Sequence, residues 1–160
     1  MEIKGAYSLH GPRESVLRLL MDPEVLQRCI PGCEHLEPIG RDTYEATMKV
    51  GVAAIVGTYS GQVQLQDLQL PERYTMVVEG SGPPGVVSGS GVLDLEERDG
   101  ATVVIVNGNA EVSGLIASVG QRLIGGVAKL LMGMFFKGIA KQLASNAAAE
   151  VAAPGDAAVQ

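Results

Sequence analysis

The chain has no tryptophan, two phenylalanines and two histidines. So few rings, with no basic patch interleaved among them, exclude nucleic-acid binding by base stacking. The two histidines, His10 and His35, lie far apart in sequence and make no pair for acid–base work. G-x-S-x-G, P-loop and H-E-x-x-H motifs are all missing. Gly80-Ser81-Gly82 and Gly89-Ser90-Gly91 read as strand ends or bulges, because no helix follows either to cradle a phosphate. Cysteine is limited to Cys29 and Cys33 in C-I-P-G-C. With His35 they offer three zinc ligands at most, and the intervening Pro-Gly is turn chemistry. Two reduced thiols are expected rather than a metal site or a disulfide.

The most telling absence is local. From Ser113 to Ala149 there is no acidic residue and no proline, in a chain whose net charge is −6. Leu, Ile, Met and Ala dominate the stretch, so it is predicted to form one long helix opened by Gly114. Its many glycines each cost roughly 1 kcal/mol relative to alanine, so packing or a ligand must offset them. On a helical wheel Ile116, Ile124, Val127, Leu131, Met134 and Phe135 share one face with Gly120 and Gly138. Arg122, Lys129, Lys137 and Lys141 form a basic ridge, and Met132, Phe136, Ile139 and Leu143 a second apolar stripe. The plain reading is a half-buried helix with a solvated edge. The sharper one is a helix that grips an apolar ligand on one side and touches anionic lipid or an acidic partner on the other. Arg122, Lys129 and Lys137 interrupt the stretch, so it is not expected to span a membrane.

The 160 residues fit one domain. The start, Met1-Glu2-Ile3-Lys4, does not resemble a signal peptide, which predicts a cytoplasmic protein. Glu2 to His10 alternates and reads as a strand. Pro12 and then Asp22-Pro23 each signal a helix start, giving two short helices, Arg13 to Leu20 and Pro23 to Arg28. From Glu34 onward the period is two. Strands are expected over 34–39, 42–51, 58–68, 73–79, 86–97 and 101–112, with turns at Gly40-Arg41-Asp42, Pro71-Glu72 and Arg98-Asp99-Gly100. The domain is taken as residues 1–146 and the rest, 147–160, as a disordered tail.

This order predicts an α+β fold of the helix-grip kind. A seven-stranded curved antiparallel sheet wraps a long C-terminal helix, with two short helices between strands 1 and 2. Inward positions on the sheet are medium-sized or glycine, which suggests a hollow against the helix; the alternative is a filled core in which the glycines only permit bends. The wall expected from the pattern is Tyr7, Leu9, Tyr44, Met48, Tyr59, Val63, Met76, Val78, Leu93 and Val104. The helix would add Ile116, Gly120, Ile124, Val127, Leu131, Met134 and Phe135. A tyrosine hydroxyl there suits a quinone carbonyl. The tip Gly51 to Gly57, G-V-A-A-I-V-G, is too apolar for an ordinary loop. Val52, Ile55 and Val56 either form a greasy mouth that meets membrane or partner, beside Arg122, Lys129, Lys137 and Lys141, or fold inward as a plug.

Several stretches together carry a family likeness. They are D-P-E-V-L (Asp22 to Leu26), C-I-P-G-C-E (Cys29 to Glu34), G-T-Y-S-G (Gly57 to Gly61), G-L-I-A-S-V-G-Q-R-L-I (Gly114 to Ile124) and F-F-K (Phe135 to Lys137). In this order they resemble the CoxG-like family of carbon monoxide dehydrogenase subunits, of the START/Bet v 1-like (SRPBCC) superfamily, over about residues 2–145. The resemblance implies the helix-grip fold and an apolar cavity. It implies a non-catalytic role: binding or carrying a quinone or lipid-like ligand, menaquinone in particular, with no covalent cofactor. It also implies a partner, a CO dehydrogenase-type molybdenum hydroxylase, and a peripheral, transient place at the inner face of the cytoplasmic membrane. Two alternatives stand beside it: a recruitment or assembly adaptor that carries nothing, and a START-like cyclase or hydrolase. The latter would require an acid or base in the cavity wall.

Overall fold

The structure, a computed structural model, describes residues 1–51 and 55–152. Strand β1 (Glu2–Leu9) is followed by helices α1 (Arg13–Leu20) and α2 (Pro23–Cys29). Then come β2 (Cys33–Gly40), β3 (Thr43–Val50), β4 (Gly57–Gln69), β5 (Arg73–Gly82), β6 (Gly85–Arg98) and β7 (Ala101–Ser113). A short 3-10 turn (Leu115–Val119) leads into α3 (Gln121–Ala152). All seven strands form one antiparallel sheet in the order β1-β7-β6-β5-β4-β3-β2. This is the helix-grip arrangement, with α1 and α2 where the proline signals placed them. Asp22 caps α2, its carboxylate accepting from the Glu24 backbone N–H at 3.0 Å.

The long helix begins later than its composition suggests. Gly114 and Gly120 adopt φ of 89° and 92°, values that break an α-helix and that side-chain-bearing residues rarely take. The chain therefore makes a separate turn before Gln121, and Gly120 is a hinge rather than part of a helix face. At the other end α3 runs to Ala152, so the expected change at residue 147 falls inside the helix. The tail expected beyond it, 153–160, lies outside the described residues.

Two apolar clusters fill the interior. The larger holds Leu9, Val16, Leu20, Tyr74, Leu95 and Val104 with Phe136, Ile139 and Leu143 of α3. So the stripe read as secondary in the sequence is the one most deeply buried, because α1 and α2 cover that half of the helix. Phe136 stacks on Tyr7 with ring centroids 4.4 Å apart. Thr102, buried in the same region, donates its hydroxyl to the Gly11 carbonyl at 2.8 Å and ties β7 to the start of α1. The smaller cluster gathers Val50, Ile55, Ile116, Ile124 and Val127 at the other end. By length and composition alone Gln121–Ala148 suffices to cross a bilayer, at a mean hydropathy of 1.6, despite the charges expected to disqualify it. Within this fold its C-terminal half is instead a core helix.

Tyr74 is fully buried, and its hydroxyl has no hydrogen-bond partner among the described residues. Burial pushes its pKa well above the ordinary value near 10. The folded state thus binds this proton more tightly than the unfolded one. Its contribution to stability is complete below pH 10 and is lost as the pH rises past it. Tyr74→Phe removes an unpaired buried hydroxyl and should stabilise by about 1 kcal/mol, with less loss at alkaline pH. Urea unfolding at neutral and alkaline pH measures both effects.

Candidate functional site

A cavity of about 300 Å³ lies between the sheet and the N-terminal half of α3. Its size follows from small residues at inward strand positions. Ala46 on β3, Gly61 on β4, Gly80 on β5 and Ala110 on β7 all line it, opposite Ala128 on the helix. Gly61 and Gly80 face each other across the β4–β5 pair. They are not equivalent. A Cβ on Gly61 would collide with the Glu79 carbonyl, so only glycine fits; a Cβ on Gly80 would stand in open space, with nothing nearer than the Ser60 carbonyl at 3.8 Å.

The walls are apolar. Of the residues singled out from the sequence, Met48, Tyr59, Val63 and Val78 line the sheet side. Ile116, Ile124, Val127 and Leu131 line the opposite side. The others do not reach the cavity. Tyr7, Leu9, Tyr44, Met76, Leu93 and Val104 belong to the larger packed cluster, because α1, α2 and the second half of α3 fill the sheet at that end. Phe135 packs against the same cluster, Met134 is 49% exposed, and Gly120 sits in the turn before α3. Sequence reading missed Met1, Ile3, Val50, Val87 and Val112 as wall residues. Alternation placed Val50 inward, and the glycines and alanines beside these positions were the signal that marked the hollow end.

Ser60, Gln62 and Glu79 border the cavity but are exposed and alternate with the inward residues, so they contribute backbone. Tyr59 is the one tyrosine on the wall. Its hydroxyl donates to the Ile55 carbonyl at 2.9 Å, and burial raises its pKa. Ile55 is itself buried and lines the cavity, so it is a plug rather than an exposed contact. Val56 beside it is 59% exposed. Val52 lies outside the described residues. Arg122, Lys129, Lys137 and Lys141 are all exposed.

Apolar residues ring this end of the molecule. Val56, Val86, Leu115, Leu123 and Leu130 are exposed, and each is the sequence neighbour of a cavity-lining residue. Leu115 is the most open at 77%. The two thiols are elsewhere. Cys29 is buried beneath Gly138 of α3, and Cys33 contacts the His35 carbonyl. Burial raises the pKa of both.

Comparison with known proteins decides the family. The family model of CoxG, a subunit of carbon monoxide dehydrogenase, matches residues 5–144. The chain belongs to the CoxG family. A conserved protein from Geobacillus kaustophilus is similar at 42% identity, with a TM-score of 0.88 over 91% of this chain and 96% of that one. A Thermus thermophilus protein shares the fold at 17% identity and a TM-score of 0.70, covering 91% of this chain and 99% of its own. A START superfamily protein from Mycobacterium smegmatis does so at 7% identity and a TM-score of 0.71, covering 90% of this chain and 97% of that one. A search of curated proteins finds no match. CoxG membership and the START-like fold mark an accessory protein of the ligand-binding type, and the cavity described above is where this CoxG-family chain has room for a ligand.

The asymmetry of the glycine pair is measurable. Gly61→Ala should destabilise by about 1–3 kcal/mol through overpacking against backbone, whereas Gly80→Ala should change stability by less than about 0.5–1 kcal/mol. Thermal unfolding of the two variants checks the difference.

Proposed function

We propose that this protein is a non-catalytic carrier of a hydrophobic quinone-like molecule, menaquinone in particular, serving a CO dehydrogenase-type molybdenum hydroxylase at the inner face of the cytoplasmic membrane. The observation that carries the reading is the apolar cavity, about 300 Å³, at the foot of a helix-grip fold. Its walls fit the isoprenoid part of such a molecule. They supply one polar side chain, Tyr59, already committed to Ile55. No acid, base or nucleophile faces the cavity from a wall side chain among the described residues, which favours binding over the cyclase or hydrolase alternative.

The outer surface supports the membrane half of the proposal. The exposed leucines and valines at the cavity end sit beside a helix bearing Arg122, Lys129, Lys137 and Lys141, with no acid from Gln121 to Ala148. Apolar side chains that enter the headgroup layer and cations that meet anionic lipid act together there. The partner enzyme enters through family membership alone.

Two measurements test the reading. Mass spectrometry of solvent extracts from the purified protein should find a prenyl quinone near one per chain; extracts without any apolar small molecule overturn it. Co-sedimentation with vesicles should rise with anionic lipid and fall with salt, since exposed charges are screened over roughly 8–10 Å. Leu115→Ser with Leu123→Ser should reduce it several-fold while leaving the melting temperature close to wild type.

A further inference from the structure

We propose that the cavity is a ruler for the hydrocarbon chain of its guest: it takes the chain end and leaves the polar head at the apolar rim. This rests on the carrier reading and says which part of the guest the protein recognises.

The wall chemistry points to a chain rather than a head. A buried carbonyl, hydroxyl or carboxylate needs a hydrogen-bond partner to offset its desolvation. The cavity offers one side-chain donor, Tyr59, and that hydroxyl already donates to the Ile55 carbonyl at 2.9 Å. The polar residues at the border, Ser60, Gln62 and Glu79, are exposed and lie at outward positions of their strands. A methylene chain makes no demand for a partner. A ring carrying two carbonyls is better placed outside, where water is available and a redox partner has access to it.

The cavity also has a floor. Its helical wall ends at Leu131. One turn further on, Phe135 and Phe136 meet edge-on at 5.0 Å, and Phe136 stacks on Tyr7 at 4.4 Å. Beyond them the interior is packed core. The cavity holds about 300 Å³. At roughly 30 Å³ for a water-sized group this is room for roughly ten carbons. A longer chain has its remainder, with the head, at the rim marked by Val56, Val86, Leu115 and Leu123.

The test is calorimetric titration of the delipidated protein with straight-chain alcohols and the matching carboxylates. Affinity should rise about fourfold for each methylene buried and level off near roughly ten carbons. Alcohol and carboxylate of equal length should agree within about tenfold, because the head lies outside in both. Gly80→Val adds three carbons into open cavity space, and should move the break to chains shorter by roughly that number. Ala128→Leu does the same from the helix side and stands in if the strand variant folds poorly. Affinity that follows the head and ignores chain length overturns the ruler, as does a break that both variants leave in place. Failure of every chain to bind, with no lipid in extracts of the native protein, removes the carrier reading and the ruler with it. Head-dominated binding alongside an extracted lipid removes the ruler alone.

Discussion

Along α3 the buried side chains begin with Ile124 and Val127 and end with Phe136, Ile139 and Leu143. On a helical wheel the two sets lie roughly a third of a turn apart. A single flat layer does not bury both. The later set is covered by β1, α1 and α2, which close over it as an interlocked core. The earlier set faces only the sheet. The same helix thus anchors the fold with one half and roofs a hollow with the other, and the division between them falls near Leu131.

The sheet is matched to this division. Where α3 is anchored, the inward residues are large: Tyr74, Leu93, Leu95 and Tyr44. Where it only roofs, they are Ala46, Gly61, Gly80 and Ala110. Close packing is the default of protein interiors, and an apolar void forfeits dispersion contacts along its whole lining. Retaining one at the end where the rim is also apolar is coherent only if something else occupies it. The glycine hinges at Gly114 and Gly120 serve the same end. They let the chain leave β7, set Ile116 against the cavity and re-enter a helix, so that Leu115 and Leu123 emerge at the rim.

The stability of such a domain rests on the packed end. Phe136 against Tyr7, Ile139 at the centre and Leu143 over Gly11 hold α3 in place without help from the cavity walls. That separation lets the hollow end exchange a guest while the rest stays folded. Local openings of this kind lie at the low-stability end of a structure's range.

Much of this was legible in the chain. Period-two alternation located every strand to within a few residues, because one face of an antiparallel sheet is dry and the other wet. Pro12 and Asp22-Pro23 marked α1 and α2 because proline and an aspartate cap suit a helix's first turn. The chain's glycines and alanines signalled a hollow. Which end was hollow was not legible. Tyr7, Tyr44 and Met76 carry the same inward alternation as Tyr59 and Val63, yet they are core. The difference is made by α1 and α2, which arrive from elsewhere in the sequence and fill one end only. Likewise the wheel of α3 offered two apolar stripes without ranking them, and Ile55 as plug or mouth stayed open until Tyr59 was seen to hold it. Local periodicity reports which face of an element is dry. Only contacts between elements distant along the chain decide whether that dry face meets side chains or empty space.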